Sequence, residues 1–255
     1  KVKVLLNSGA PVIVSLAPSF AANYDGVGID SMRAALKKLG FAGVEETALG
    51  ATLVKREYDR MAEAGDMDTI ITSCCPTVNL LIRKYYPDAL PYLAKVKTPM
   101  QAHCTDIKAR HPEAKTVFIG PCISKKAEAD DVPGLVDCVL TFEELQALFD
   151  SKEIDLTSLP GEALDNASYF GRVFARSGGL AVAVEEALKE CGISPEEFTL
   201  NAISCNGITE CKAALLRASK NVLPNNFVEG MACESGCIGG AGCITHGPKS
   251  KADVD

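Results

Sequence analysis

The feature that most constrains this chain is the placement of its cysteines. There are 11 in 255 residues, an odd number. They gather in tight local groups: Cys74-Cys75, Cys122 directly after Pro121, and Cys233, Cys237 and Cys243 within one short stretch. A small secreted scaffold carries its cysteines more densely and pairs them evenly. Vicinal cysteines rarely bridge each other, because the peptide between them would be strained. The grouping points instead to thiols that bind metal in a reducing compartment.

Apolar patterning puts these groups at the ends of strands. The opening stretch, 1–17, reads as a buried strand centred on Val12-Ile13-Val14-Ser15-Leu16 and ended by Pro18. Asp30 is expected to cap a helix with Met32, Leu36 and Leu39 on one face, stopped by Gly40. A short strand at 41–45, an amphipathic helix at 52–64 and a strand at 69–72 follow, the last running straight into Ser73-Cys74-Cys75-Pro76. Further on, a strand at 115–119 ends in Gly120-Pro121-Cys122, and a strand at 138–140 precedes a helix at 142–149. Helices at 180–191 and 210–219 alternate with strands at 198–205 and 226–230, and the last strand leads into Met231-Ala232-Cys233. Residues 249–255 form a polar tail. Such alternation implies an α/β fold with mostly parallel sheet, in which sites form beyond the carboxyl ends of the strands.

Composition narrows the functional classes. The chain is 47% hydrophobic and 23% charged, as expected of a soluble globular protein. Its net charge is −7, with three histidines and no basic run, which argues against nucleic acid as a partner. No apolar run reaches the ~18 residues that span a bilayer, so no membrane insertion is expected. No signal peptide is visible, and a cytoplasmic location is expected. The chain begins with Lys1 rather than Met, so upstream segments are expected to lie outside it.

An iron–sulfur cubane needs four thiolates converging in a pocket that excludes bulk water. Cys75, Cys122, Cys233 and Cys237 are the candidates. Three residues separate Cys233 from Cys237, one more than in the usual zinc knuckle. Gly236, Gly239, Gly240 and Gly242 let the backbone pass close to a bulky inorganic group. Zinc is the rival metal on spacing alone, although the thiols are scattered along the chain without paired knuckles.

Three segments carry a family resemblance: Thr72-Ser73-Cys74-Cys75-Pro76, Gly120-Pro121-Cys122-Ile123-Ser124-Lys125-Lys126-Ala127-Glu128, and the run from Glu229 to Gly240. They resemble, in order, the signature segments of iron–iron hydrogenases, and Ala17-Pro18-Ser19 resembles the N-terminal active-site segment of that family. The resemblance implies an α/β fold of two lobes of mixed, mostly parallel sheet with flanking helices, the metal cluster lying in the cleft between them. The first lobe is expected at 1–110, the second at 111–229, and a cluster-binding segment and tail at 230–255.

The resemblance also implies the H-cluster, a 4Fe–4S cluster joined to a diiron subcluster with carbonyl, cyanide and bridging azadithiolate ligands. Cys75, Cys122, Cys233 and Cys237 match the cubane ligands, with Cys237 bridging to the diiron unit. Cys74 matches the free thiol that passes protons to the dithiolate amine. Lys125 matches a lysine contacting one cyanide, Pro18 and Ser19 match groups near the other, and Met231 matches a methionine packed on the diiron unit. A thiol suits proton relay because its pKa, near ~8.5, is tunable. A buried ammonium and an anionic cyanide share the cost of burial. The activity implied is reversible oxidation of dihydrogen to protons and electrons. The partners implied are dihydrogen, protons, a ferredoxin-like electron-transfer domain or protein, and maturation proteins.

Departures from the family pattern refine the expectation. Gly120 stands where a methionine is usual, which is expected to remove bulk beside the diiron unit. Ala94 and Val54 fall at positions where a serine and a glutamate usually carry protons, and Glu57 matches a second glutamate. Glu234-Ser235 replaces a usual Pro-Gly, Cys243 a usual Gln, and Met100 a polar residue. These changes resemble the sensory branch. They imply a slow enzyme or hydrogen sensor with a signalling partner, and another proton route from Cys74 through Glu234 or a nearby thiol. The alternative is the related cluster-assembly type of iron–sulfur protein, which lacks the diiron unit and has no need of Cys74, Lys125 or Met231. Cys138, Cys191, Cys205 and Cys211 are read as core, Cys243 as packing, and His103, His111 and His246 as surface or loop residues. The Gly178-Gly179 pair is read as close packing near the cofactor.

Overall fold

A computed structural model describes residues 1–65, 67–159, 168–190 and 199–247. The described elements run α1 (Val2–Leu6), β1 (Val12–Leu16), α2 (Ile29–Lys38), β2 (Gly43–Glu46), α3 (Ala48–Ala64), β3 (Ile70–Ile71), α4 (Pro76–Tyr85) and α5 (Pro99–Arg110). They continue with β4 (Lys115–Ile119), α6 (Ser124–Asp130), β5 (Cys138–Leu140), α7 (Phe142–Asp150), α8 (Tyr169–Val173), α9 (Gly179–Glu190), β6 (Ala202–Asn206), α10 (Ile208–Ser219) and β7 (Phe227–Met231).

The strands form two wholly parallel sheets, ordered β2-β1-β4-β5 and β3-β7-β6. Parallel neighbours need long crossovers, so helices cover the faces and the central strands are buried on both sides. β1 and β7 are accordingly buried at every position. Fully buried side chains such as Leu16 and Ile71 each contribute about 1.5–3 kcal/mol relative to exposure.

In the first sheet the chain leaves β1 for β2 on one side and reaches β4 on the other. Such a reversal opens a crevice beyond the carboxyl ends of the strands. Ala17-Pro18-Ser19 follows β1 there, and Gly120-Pro121-Cys122 follows β4. In the second sheet Cys74-Cys75 follows β3 and Cys233 follows its neighbour β7. A paired Arg172 and Glu46, with nitrogen–oxygen distances of 2.9 Å, tie α8 to the end of β2.

The α/β class and the two parallel sheets agree with the sequence reading, but the sheets interleave along the chain. β3 joins β6 and β7, whereas β4 and β5 join β1 and β2. Sheet membership therefore crosses the expected lobe boundary at residue 110. The opening stretch also differs: Val2–Leu6 is a short helix, with Val2 buried and Val4 exposed. Helix α2 is capped by Gly28, and Asp30 sits in its first turn. Helix α3 begins four residues earlier than expected, at Ala48. The expected helix end at 191 and strand start at 198 lie outside the described residues, as do Cys191 and the tail.

Candidate metal centre

One cavity, with about 850 Å³ of unfilled space, is lined from the carboxyl ends of β1, β3, β4 and β7. Cys75, Cys122, Cys233 and Cys237 line it, as do Cys74, Pro18, Ser19, Lys125 and Met231. Every site residue expected from the sequence thus borders one space. Local structure explains the convergence. Cys75 is the N-cap of α4, with Pro76 at the first helical position, where its missing N–H costs nothing. Cys122 precedes α6, whose first turn carries Lys125. Cys237 follows Gly236, which has φ 79° and whose added Cβ would lie 2.6 Å from Ser177 N, so only glycine fits.

The described cysteines are all free thiols. Burial and the neighbouring Cys122, Cys75 and Cys233 push Cys237 well above the ordinary thiol value. Burial, then Cys122 and Cys75, raise Cys233 to about 11. Burial also raises Cys122, against the lowering effect of Lys125. Together as thiolates, the cysteines on this cavity would need a cation among them. No three His, Cys, Asp or Glu side chains among the described residues stand as the ligands of a single metal ion.

The remaining walls fit an anionic inorganic group. Burial disfavours the charged Lys125, but Glu128 and the thiols at Cys122 and Cys237 outweigh it and hold its pKa up. Its Nζ donates to Glu128 Oε2 at 2.7 Å. Ser19 Oγ is buried without a hydrogen-bond partner, an orphan that a ligand acceptor would satisfy. Ala17, Ala48, Ala51, Pro99, Met100 and Phe174 supply apolar wall. The space expected at Gly120 is filled: an added Cβ would lie 2.8 Å from Ala17 Cβ and 2.8 Å from the Phe118 ring, which itself lines the cavity.

Around Cys74 the structure adds a residue that the sequence reading missed. Tyr58, fully buried on α3, places its Oη 3.8 Å from Cys74 Sγ. The same oxygen accepts Ser73 N–H at 2.8 Å and lies 3.1 Å from Ser73 Oγ, which donates to Val96 O at 2.6 Å. Burial pushes the Cys74 thiol up to about 12, against the lowering effect of Tyr58. The signal was present in the sequence, because Ala51, Val54, Tyr58 and Ala62 share one helical face and a tyrosine there needs a partner for its hydroxyl.

Other expectations sort cleanly. Val54 and Ala94 are buried in the apolar cluster against which Cys74 packs. Glu57 is exposed and paired with Arg60 at 3.2 Å. Glu234 is exposed and does not line the cavity. Cys138, Cys205 and Cys211 are core, and Cys243 is buried with its thiol on Ile238 O at 3.3 Å. His111 and His246 are exposed, but His103 is fully buried, contrary to expectation. Gly178-Gly179 opens α9, where the buried Glu229 carboxylate accepts Gly178 N–H and Ala181 N–H at 3.0 Å each. That helix N-terminus is thus filled by the protein's own anion.

Fold and site together define an α/β domain in which two parallel sheets converge on a cavity walled by five cysteines. The chain belongs to the iron-only hydrogenase large subunit family, C-terminal domain, whose profile matches residues 10–241. It is 29% identical to "Iron hydrogenase 1" of Clostridium pasteurianum, over 100% of this chain and 54% of that protein. It is 28% identical to the "NADP-reducing hydrogenase subunit HndD" of Solidesulfovibrio fructosivorans, over 96% of this chain and 52% of that protein. It is also 26% identical to the "Cytosolic Fe-S cluster assembly factor NAR1" of Eremothecium gossypii, over 82% of this chain and 60% of that protein. The chain therefore spans little more than half the length of these curated relatives. Among solved structures, the FeFe-hydrogenase HydA(deltaEFG) shares the fold with a TM-score of 0.76 at 22% identity, covering 100% of this chain and 88% of that one. No described helix is long and apolar enough to cross a membrane.

Proposed function

We propose that this chain is the H-cluster domain of an iron–iron hydrogenase, catalysing reversible oxidation of dihydrogen slowly or in a sensing role. The observation that carries the reading is the meeting of Cys74, Lys125 and Met231 with Cys75, Cys122, Cys233 and Cys237 on one cavity. When bound, the cluster supplies the electron transfer and the splitting of dihydrogen. Cys75, Cys122, Cys233 and Cys237 would hold the cluster. The Lys125 ammonium and the Ser19 hydroxyl, beside Pro18, would donate to its anionic ligands, and the Met231 side chain would pack against it. Cys74 holds or gives a proton at Sγ, oriented by Tyr58 Oη.

The sensory assignment is supported by the apolar surroundings of Val54 and Ala94 and by the outward position of Glu57, which leave the usual proton path without carriers. A ferredoxin-like domain or protein exchanges electrons, maturation proteins insert the diiron unit, and a signalling partner reads the state of the cluster in the cytoplasm. The cluster-assembly reading is favoured by the match to the assembly factor, but it leaves Cys74, Lys125 and Met231 without a task.

The test is an infrared spectrum after maturation, with iron quantified on the same sample. Cyanide and carbonyl bands are the expected result. A cubane without those bands moves the chain to the cluster-assembly type, and zinc in place of iron overturns both readings.

A further inference from the structure

A hydrogen-bonded chain runs from the cavity to solvent on the side of β2, away from the Tyr58–Ser73 pair. Strand alternation builds it. Glu45 on β2 is the register partner of Ser15 on β1, and Thr47 follows β2 as the N-cap of α3. Helix α5 crosses that face and brings His103 down onto it. Thr47 Oγ1 lies 2.7 Å from Ser15 Oγ, Ser15 Oγ lies 2.8 Å from His103 Nδ1, and His103 Nε2 lies 3.1 Å from Glu45 Oε2.

The inner end borders the cavity, since Thr47 is among its lining residues. The outer end borders a solvent-open cleft walled by β2, α3 and α5, in which Glu45 and Arg110 both stand. Ser15 and His103 between them are fully buried. Thr47 occupies the N-cap of α3, where a threonine hydroxyl ordinarily accepts a backbone N–H. It makes no such bond, and its hydroxyl turns to Ser15 instead.

We propose that Thr47, Ser15, His103 and Glu45 form a proton path between the cavity and the cleft. The path rests on the hydrogenase reading, which gives the cavity a traffic in protons. Thr47, Ser15 and His103 can each both donate and accept, as proton hopping requires, and Glu45 accepts at the outer end. The Tyr58–Ser73 network does not meet that condition, because it ends on the Val96 carbonyl, which has no proton to pass on.

The polarity of the path follows from its outer end. Arg110 donates to both Glu45 oxygens, at 3.0 and 2.6 Å, and keeps the carboxylate ionised. Glu45 then accepts from His103 Nε2–H, so Nδ1 accepts from Ser15 O–H, and Ser15 Oγ accepts from Thr47 O–H. A proton taken up at Thr47 Oγ1 displaces the Thr47 proton to Ser15 and the Ser15 proton to His103 Nδ1. The imidazolium releases Nε2–H to Glu45, which passes it to cleft water. One proton enters, one leaves, and no electron moves. Proton uptake is the reverse sequence. The hydroxyl–imidazole–carboxylate order is that of a hydrolytic triad, but Ser15 is sealed inside β1 and bonded on both sides, with no room for an acyl group.

The test compares the matured wild type with Thr47→Val, which keeps shape and loses the hydroxyl, with Thr47→Ser, which restores it, and with Ser15→Ala. Glu57→Ala is the control. The cyanide and carbonyl bands are followed by time-resolved infrared after a flash-induced pH jump, and turnover is measured on the same samples. Thr47→Val and Ser15→Ala should slow band relaxation at least about tenfold, with Thr47→Ser close to wild type. Bands that relax at the wild-type rate in both Thr47→Val and Ser15→Ala overturn the path and leave the hydrogenase reading standing. If Thr47→Val fails to load, Ser15→Ala decides. A wild type without cyanide and carbonyl bands removes the hydrogenase reading, and the path with it.

Discussion

At Ser235 the backbone stands at φ 66°, in the left-handed region that L side chains avoid. A glycine is usual here in the family pattern, and the reason is now visible. Ser235 uses its backbone N–H to bond Asn206 Oδ1 at 2.6 Å, and its carbonyl to accept Ser177 N–H. Neither bond needs the side chain. Ser235→Gly should therefore raise stability by about 1 kcal/mol, read as a higher urea midpoint at unchanged slope. A second prediction concerns Cys74. If its thiol handles protons for the cluster, Cys74→Ala should cut turnover by at least about 100-fold, while Glu57→Ala stays near wild type. A large loss from Glu57→Ala in a hydrogen-evolution assay would restore the usual path. The four candidate ligand cysteines were legible from their grouping at strand ends, whereas Cys74, Lys125 and Met231 came from the family resemblance. The helical face of Tyr58 was legible too, but its partner and the role of His103 were not, because they depend on which side chain another element lays against them.

Helix α5 shows the same limit among elements. Pro99 reads as a breaker, yet it starts the helix at its first position, as Pro76 starts α4. The approach of α3 to α5 depends on Gly50, where an added Cβ would lie 2.3 Å from Pro99 O and 2.6 Å from His103 Cβ. Both neighbours are held within a packed helix, so Gly50→Ala should cost about 1–3 kcal/mol through overpacking, measured by denaturant titration. Helix α5 also clamps β2 by charge. Burial alone would raise the Glu45 pKa, but His103 and Arg110 overcome it and hold the carboxyl at about 2. A folded-state value below the unfolded one gives stability that is present above the unfolded pKa and lost as pH falls through the folded one. The contribution of Glu45 should therefore be full near neutrality and fade as pH falls from the ordinary carboxyl value of about 4.5 to about 2. Glu45→Gln should flatten that part of the stability–pH curve, as seen in thermal melts across the acid range. Strand β4 was legible to the residue because its apolar Val117-Phe118-Ile119 runs straight into Gly120-Pro121. Strand β3 has two residues, too few for periodicity to locate its ends.

On the scale of the molecule, the sequence pattern could not say which strands share a sheet, because partnership is settled by packing between distant segments. The outcome has a mechanical consequence. Cys122 hangs from β4 in the first sheet, whereas Cys75 and Cys233 hang from β3 and β7 in the second. A cluster bound to all of them would brace the two sheets against each other. Without metal, burial and neighbouring thiols hold Cys122, Cys233 and Cys237 protonated. Loading must strip those protons, so it binds less tightly as pH falls, and it stabilises only the folded chain. Hydrogen exchange should therefore slow on loading at the carboxyl ends of β4, β3 and β7 together, across both sheets. Protection confined to one sheet would mean that the thiols do not share a cluster.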